Sequence, residues 1–498
     1  MARKTKTPKI AKEKTKKVKK AKKTKGDEWN LDSETESLSE AIEKKYGEAP
    51  LSLNEDIAET RIPTSSLCID VLIGGGIPSG RWIVLYGQES SGKSTILYQM
   101  LKGCFIAGVN KNDAFDYESS LATNFFANIM GEPLEDLLGK KDENDEWLKK
   151  PKVRHYMPEF GEKMFRIVSS KLKLLPDSIT IKNKRYLKFS PALAKKLKLP
   201  TAKVEFIKDK YLYVRDTGPP VKYVILVDSF PEMLPEALYE DEDKSPLAQQ
   251  ARMFSSNIPL IRPRLRTKGA VLIGVNHIRM KPMVQFGSPE YAPGGEHLKL
   301  ATDIRIRVSA VSIPHGKGYI EEELNLDGEL ERFVYTKLKT KKNKTFPKEK
   351  DVTLRICIEK AGHSGYGIDL VWDLFQYLRS TGQIKKRGDV IGITLPGPWE
   401  EVKLGWNDLR KLVYKPTDPE LLKKILRAEF PKKYEPSKEW EKGIKALKAA
   451  LKKKGSKAKI ASIRKILDIR AVCQKQIQTR EAFTLIAAKK AKPAEDDE

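Results

Sequence analysis

The run Arg81-Trp82-Ile83-Val84-Leu85-Tyr86, leading into Gly87-Gln88-Glu89-Ser90-Ser91-Gly92-Lys93-Ser94-Thr95, decides how the rest of the chain is read. Four consecutive apolar residues before a glycine-rich turn read as a buried strand, and a helical pattern starts at about Ser94. The turn fits G-x-x-x-x-G-K-[ST], in the strand–loop–helix setting that gives the pattern its meaning. Its glycines let backbone N–H groups curl around phosphate oxygens, and the helix N-terminus adds the positive end of its dipole. Lys93 is placed to reach the outer phosphates, and Ser94 to offer a hydroxyl to Mg²⁺. A nucleoside triphosphate site is the expectation; a chance glycine turn would lack the flanking strand and helix.

Such a site needs an acidic residue at the end of a neighbouring apolar strand. Val224-Ile225-Leu226-Val227-Asp228-Ser229 supplies it, with Asp228 in the Mg²⁺ role and Ser229 beside it. Ala114–Tyr117 and Ala270–Val275 read as further strands, and strands alternating with helical stretches point to an α/β fold with a mainly parallel, twisted sheet. Residues 61–365 form the expected core, with a lysine-rich insertion at 140–220 that shows little periodicity. A smaller α+β domain is expected at 366–430, then a lysine-rich helical extension at 431–498 with an acidic end, Glu495–Glu498. Residues 1–35 read as a disordered basic tail, and 36–60 as an N-terminal oligomerisation helix and linker.

The chain has 498 residues and a formal charge of +27. Residues 1–25 (13 Lys/Arg, one acid), 149–210 (18 and 5) and 432–460 (11 and 3) carry more than that whole excess, so the remaining surface is slightly acidic. Blocks of this kind attract polyanions by counterion release, nucleic acid above all. No run of about 18 apolar residues is present, which excludes a helical membrane span on sequence grounds. Four scattered cysteines have no zinc-ligand or CxxC spacing and read as reduced thiols. A cytoplasmic, nucleoid-associated location follows as an expectation.

Several of these stretches together resemble the RecA family, in its bacterial form. The phosphate loop has the family's Glu-Ser-Ser before Gly-Lys, and Gly74-Gly75-Gly76-Ile77-Pro78-Ser79-Gly80-Arg81 is similar to its glycine-rich lead-in. Ala41–Gly47 resembles the end of the helix that docks on a neighbouring subunit. Asp116-Tyr117-Glu118 matches the strand end holding the family's catalytic glutamate, so the resemblance makes Glu118 the residue that orients the attacking water. It places Phe125 against adenine. Asn276-His277-Ile278-Arg279-Met280-Lys281, continuing through Phe286 to Gly294-Gly295, resembles the second DNA-binding loop. Ala251-Arg252-Met253, after an acidic stretch at Glu240–Asp243, resembles the first DNA-binding loop and the helix after it. The implied DNA contacts are Arg252, Arg279, Lys281, Pro282, Met283, Phe286, Gly294 and Gly295. A loop bearing cations and an aromatic ring between glycines suits phosphate contact and base stacking.

Three features depart from the family pattern. His277 stands where the family has a glutamine that links the γ-phosphate to the DNA loop; as a residue type, histidine can still hydrogen-bond there. Pro282 and Met283 stand where an aliphatic wedge enters the bases. Of two lysines that act across the subunit interface, Lys360 aligns with one and Ile358 replaces the other. The implied protein binds ATP and Mg²⁺, forms a helical homo-oligomer on single-stranded DNA, and exchanges that strand into a homologous duplex, with a loader or mediator protein as a further partner. A hexameric helicase-type motor shares the phosphate loop but not the Asn276–Gly295 block. A weakly hydrolysing regulatory paralogue fits His277 and Ile358 but not the intact Lys93, Glu118 and Asp228. An enlarged, divergent chain of this kind is compatible with a viral source.

Overall fold

The computed structural model describes residues 60–119, 121–175, 204–207, 211–214, 220–240, 246–280, 290–291, 293–314, 316–347, 351–359, 366–394, 400–416, 418, 420–421, 468–479, 481–483 and 486. The expected tail (1–35), the docking segment through residue 59, Lys281, Pro282, Met283, Phe286, Lys360, residues 176–203 of the expected insertion, the lysine-rich stretch 432–460 and the acidic end 495–498 lie outside them.

Among the described residues, helix α1 (Leu67–Ile73) is followed by strand β1 (Trp82–Gly87), helix α2 (Lys93–Ile106), β2 (Asn112–Asp116) and α3 (Thr123–Met130). Next come β3 (Arg154–Tyr156), α4 (Gly161–Leu174), β4 (Tyr223–Asp228), the long α5 (Pro246–Thr267) and β5 (Ala270–His277). A short pair, β6 (Arg279–Met280) and β7 (Glu290–Tyr291), precedes α6 (Gly295–Ala301) and the strands β8 (Ile304–Val311), β9 (Ile320–Leu324), β10 (Leu330–Asn343), β11 (Asp351–Glu359) and β12 (Gly367–Ile368). The last described elements are α7 (Leu370–Ser380), β13 (Ile384–Arg387), β14 (Val390–Thr394), β15 (Glu400–Gly405), α8 (Trp406–Tyr414) and α9 (Ile469–Gln478).

Ten strands form one sheet in the order β12-β11-β10-β8-β1-β5-β4-β2-β3, with β9 alongside β10. The six strands from β8 to β3 are parallel, and the β10–β12 side is antiparallel. Successive side chains on a strand point to opposite faces, so a strand covered on both sides is apolar throughout. β1 shows this directly. Ile83 and Leu85 join the core that contains α1, α2 and α3, whereas Trp82 and Val84 face the core built with α4, α5 and α6. β4 splits in the same way, with Val224 and Leu226 on one side and Tyr223, Ile225 and Val227 on the other. The expected α/β class with a mainly parallel sheet is therefore the observed one.

Two stretches sit differently from the sequence reading. Part of the expected insertion belongs to the sheet and its cover: β3 pairs with β2 at the edge, and α4 buries Met164, Phe165, Val168 and Leu172 against α5. The Lys171 ammonium anchors this helix by reaching the buried Asp113 carboxylate. The C-terminal residues also join the main body. Leu374, Tyr377 and Leu378 of α7, together with Ile469, Cys473 and Ile477 of α9, lie in the same core as Ile83 and Leu85. Asp373, fully buried, accepts hydrogen bonds from Ser66 Oγ and the Leu67 and Cys68 amides, and pairs with Arg470 at 2.8 Å. All four cysteines are buried and free.

Candidate nucleotide site

The phosphate loop links the end of β1 to the start of α2. Gly87 passes so close to β8 that a Cβ there would lie 2.0 Å from the Val308 carbonyl oxygen, so only glycine fits. Gly92 takes a left-handed conformation (φ 89°) as the N-cap of α2. The loop is held from below by Thr336 Oγ1, which donates to the Ser91 carbonyl at 3.1 Å, and by Ser91 Oγ, which donates to the Gln88 carbonyl at 2.8 Å. Lys93 is 6% exposed, and its ammonium donates to the same Gln88 carbonyl at 2.6 Å. Burial pulls its pKa down, against the attraction of Asp228, Glu118 and Glu89.

The loop opens on a cleft of about 780 Å³, within the usual size range of ligand pockets. Its walls bring together Glu89 to Thr95, Glu118, Asp228, His277 and Arg279, which the chain supplies from four separate stretches. The parallel sheet is the cause, because β1, β2, β4 and β5 all end at this edge. Asp228 Oδ2 accepts a 2.8 Å hydrogen bond from Ser94 Oγ, while its buried Oδ1 has no hydrogen-bond partner. A carboxylate oxygen and a hydroxyl side by side, one oxygen orphaned, suit a hard divalent cation. Burial raises the Asp228 pKa to about 6, and the charges of Glu118 and Asp116 push the same way. Beyond it Ser229 is fully buried, joined to Asp228 by a cis peptide bond.

Glu118 follows β2. Its amide donates to Asp116 Oδ1 at 3.1 Å, and its Oε1 lies 2.7 Å from His277 Nε2. That hydrogen bond holds the Glu118 carboxyl below its usual range in spite of partial burial. His277 is the last residue of β5. One residue on, the Ile278 amide donates to the Gly87 carbonyl at 3.2 Å, and Asn276 Nδ2 donates to the Pro293 carbonyl at 3.0 Å. In the antiparallel pair β6–β7, Arg279 then stands opposite Tyr291 and Met280 opposite Glu290.

Some expected residues fall elsewhere. Phe125 is outside the cleft wall and stands edge-on to Tyr366, 5.9 Å between ring centres. Arg252 is exposed on α5, away from the cleft wall, and Gly294 and Gly295 form the left-handed entry to α6. Ile358, 40% exposed, lines the cleft rim. Sequence reading missed Glu232, which also lines the cleft four residues after Asp228. It missed a cation cluster at the opposite strand ends too. There the Asp303 carboxylate is shared by Arg81, Arg262 and Lys344 at 3.8, 3.6 and 3.5 Å. Lys342 is close by, its pKa lowered by burial and by repulsion from Lys344, Arg305 and Arg262.

A doubly wound α/β sheet with a phosphate loop and facing carboxylates at its strand ends defines a phosphate-loop nucleotide-binding protein. Residues 34–149 and 219–361, just over half of the chain, match the RecA N-terminal domain. The chain belongs to the RecA family. Protein RecA of Thermus thermophilus is 26% identical over 400 residues, which span 78% of this chain and 91% of that protein. Protein RecA of a Thermotoga species is 27% identical over 401 residues (79% and 89%). The mitochondrial DNA repair protein recA homolog of Dictyostelium discoideum is 26% identical over 398 (78% and 69%). The crystal structure of the RadB recombinase overlays with a TM-score of 0.34 at 14% identity, over 59% of this chain and 96% of that one, a likeness too slight to add to the assignment. Among the described residues no helix is long and apolar enough to cross a membrane.

Proposed function

We propose that this chain is an ATP-dependent homologous recombinase that assembles on single-stranded DNA as a helical filament and exchanges that strand into a homologous duplex. The observation that carries the reading is the 2.7 Å contact between Glu118 and His277, because it ties the acid of the nucleotide cleft to the segment whose sequence resembles the second DNA-binding loop. Lys93 and the loop amides hold the phosphates of ATP. Glu118, kept ionised by His277, orients the attacking water and takes its proton. Ser94 and Asp228 are the residues that would hold Mg²⁺, which when bound neutralises phosphate charge.

The two ends of the sheet favour a head-to-tail assembly. β1 separates the cleft at Gly87 from the Arg81–Asp303 cluster at Trp82 by about 17 Å of strand. A heterologous interface sets one such end against the other on the next copy and, if it does not close, builds a helix. Arg81, Arg262, Lys342 and Lys344 would then face a neighbour's triphosphate. The 281–289 loop and the helix bearing Arg252 would line the DNA groove. Binding there is expected to tolerate any sequence, since base pairing does the reading.

The test is ATP hydrolysis with and without single-stranded DNA. Hydrolysis that rises on DNA addition and disappears in Lys93→Ala supports the reading. Hydrolysis indifferent to DNA, or unaffected by that substitution, overturns it.

A further inference from the structure

Arg279 was expected at the DNA, yet its guanidinium borders the nucleotide cleft. The cause is local. His277, Ile278 and Arg279 in succession line the cleft, because the Ile278–Gly87 hydrogen bond pins this segment to the phosphate loop. The pair it makes there is loose. Its Nη2 lies 3.8 Å from Glu232 Oε1, with the two side chains 53% and 48% exposed, an arrangement that contributes little. The cleft wall as a whole carries Glu89, Glu118, Asp228 and Glu232 against Lys93 and Arg279, an acidic balance for a site that takes a polyanion. A planar guanidinium that gives up a distant carboxylate for two oxygens of one phosphate makes much stronger, charge-assisted bonds.

We propose that Arg279 reads the terminal phosphate of the bound nucleotide, exchanging Glu232 for the γ-phosphoryl oxygens, and so sets the preference for triphosphate over diphosphate. The inference rests on the cleft being a triphosphate site. Arg279 lies on β6, paired with Tyr291 of β7, so its movement is passed to that neighbouring strand. Glu232 is the resting partner in the diphosphate and empty states. This makes Arg279 a specificity-determining residue of the nucleotide site in addition to any contact the neighbouring loop makes with DNA.

The experiment uses the full chain with Mg²⁺ and no DNA. Dissociation constants for a non-hydrolysable ATP analogue and for ADP are measured by competition with a fluorescent nucleotide, for wild type, Arg279→Ala, Arg279→Lys and Glu232→Gln. Arg279→Ala is expected to weaken the triphosphate at least about tenfold while ADP changes by less than about twofold. Arg279→Lys keeps the charge but not the fork, and is expected to lose about three- to fivefold, which keeps the test informative if the alanine variant unfolds. Glu232→Gln is expected to tighten the triphosphate, because the competing carboxylate charge is gone. If Arg279→Ala and Arg279→Lys both keep the wild-type ratio of the two constants, the role of Arg279 is overturned and the nucleotide site stands. A wild-type chain that binds neither nucleotide overturns the site itself and this role with it.

Discussion

His277 Nε2 lies 2.7 Å from Glu118 Oε1, although 159 positions separate the two residues in the chain. The parallel sheet causes the meeting: β2 and β5 flank β4 in the order β5-β4-β2, and each delivers its last residues to the same edge. Because Glu118 is depressed by this contact, its carboxylate stays charged until the pH falls through a value below the ordinary one. Replacing His277 by alanine is therefore expected to move the acid limb of the hydrolysis rate to higher pH and to lower the rate about 10- to 100-fold. His277→Gln, which can still donate to the carboxylate, should keep the limb low. The pH profile of single-turnover hydrolysis measures both.

Asp228 behaves in the opposite sense. Its folded pKa is raised to about 6, so its contribution to stability is fully present below the unfolded carboxylate value and is lost as pH rises through about 6. At neutral pH the ligand-free protein thus holds an ion it disfavours. Asp228→Asn is expected to stabilise that state by on the order of 2 kcal/mol while removing Mg²⁺-dependent hydrolysis. Urea denaturation at pH 7 and pH 5 checks this, since the gain should shrink at the lower pH.

Gly87→Ala is expected to damage the fold itself. The added Cβ would meet the Val308 carbonyl at 2.0 Å, with both backbones fixed in adjacent strands. A loss of about 3 kcal/mol or more, read as a lower midpoint of thermal unfolding, is the expected result.

Arg470→Ala should unlatch α9. Its guanidinium donates to Asp373 Oδ2, the Leu370 carbonyl and the Ser65 carbonyl, and its removal leaves a fully buried carboxylate short of its cation. Breaking such a pair costs about 3 kcal/mol or more. Hydrogen exchange should show α9 and the N-terminus of α1 opening together.

The sequence made the site legible where its chemistry is local. Gly87–Thr95 carries its geometry in its own residue types, and Asp228 ends an apolar strand whose neighbour had to be close. Membership of the family was legible for the same reason. α4 was harder to see, because it sits in a lysine-rich stretch whose composition outweighed the spacing of Met164, Phe165, Val168 and Leu172. α9 buries Ile469, Cys473 and Ile477 at intervals of four inside a lysine- and alanine-rich tail, where composition outweighed spacing. The Asp303 cluster was not readable in advance. Arg81, Arg262, Asp303 and Lys344 come from four separate places, and only strand order brings them together. Arg279 lies two residues after His277, near enough in the chain to suggest the cleft, but resemblance pointed to DNA.

The most direct measurement is strand exchange between a single-stranded oligonucleotide and a fluorescently labelled homologous duplex, with ATP and Mg²⁺, beside a heterologous duplex and the Lys93→Ala variant. Displacement that requires homology, ATP and Lys93 is the predicted result. Unwinding that ignores homology, or DNA binding without displacement, would contradict it.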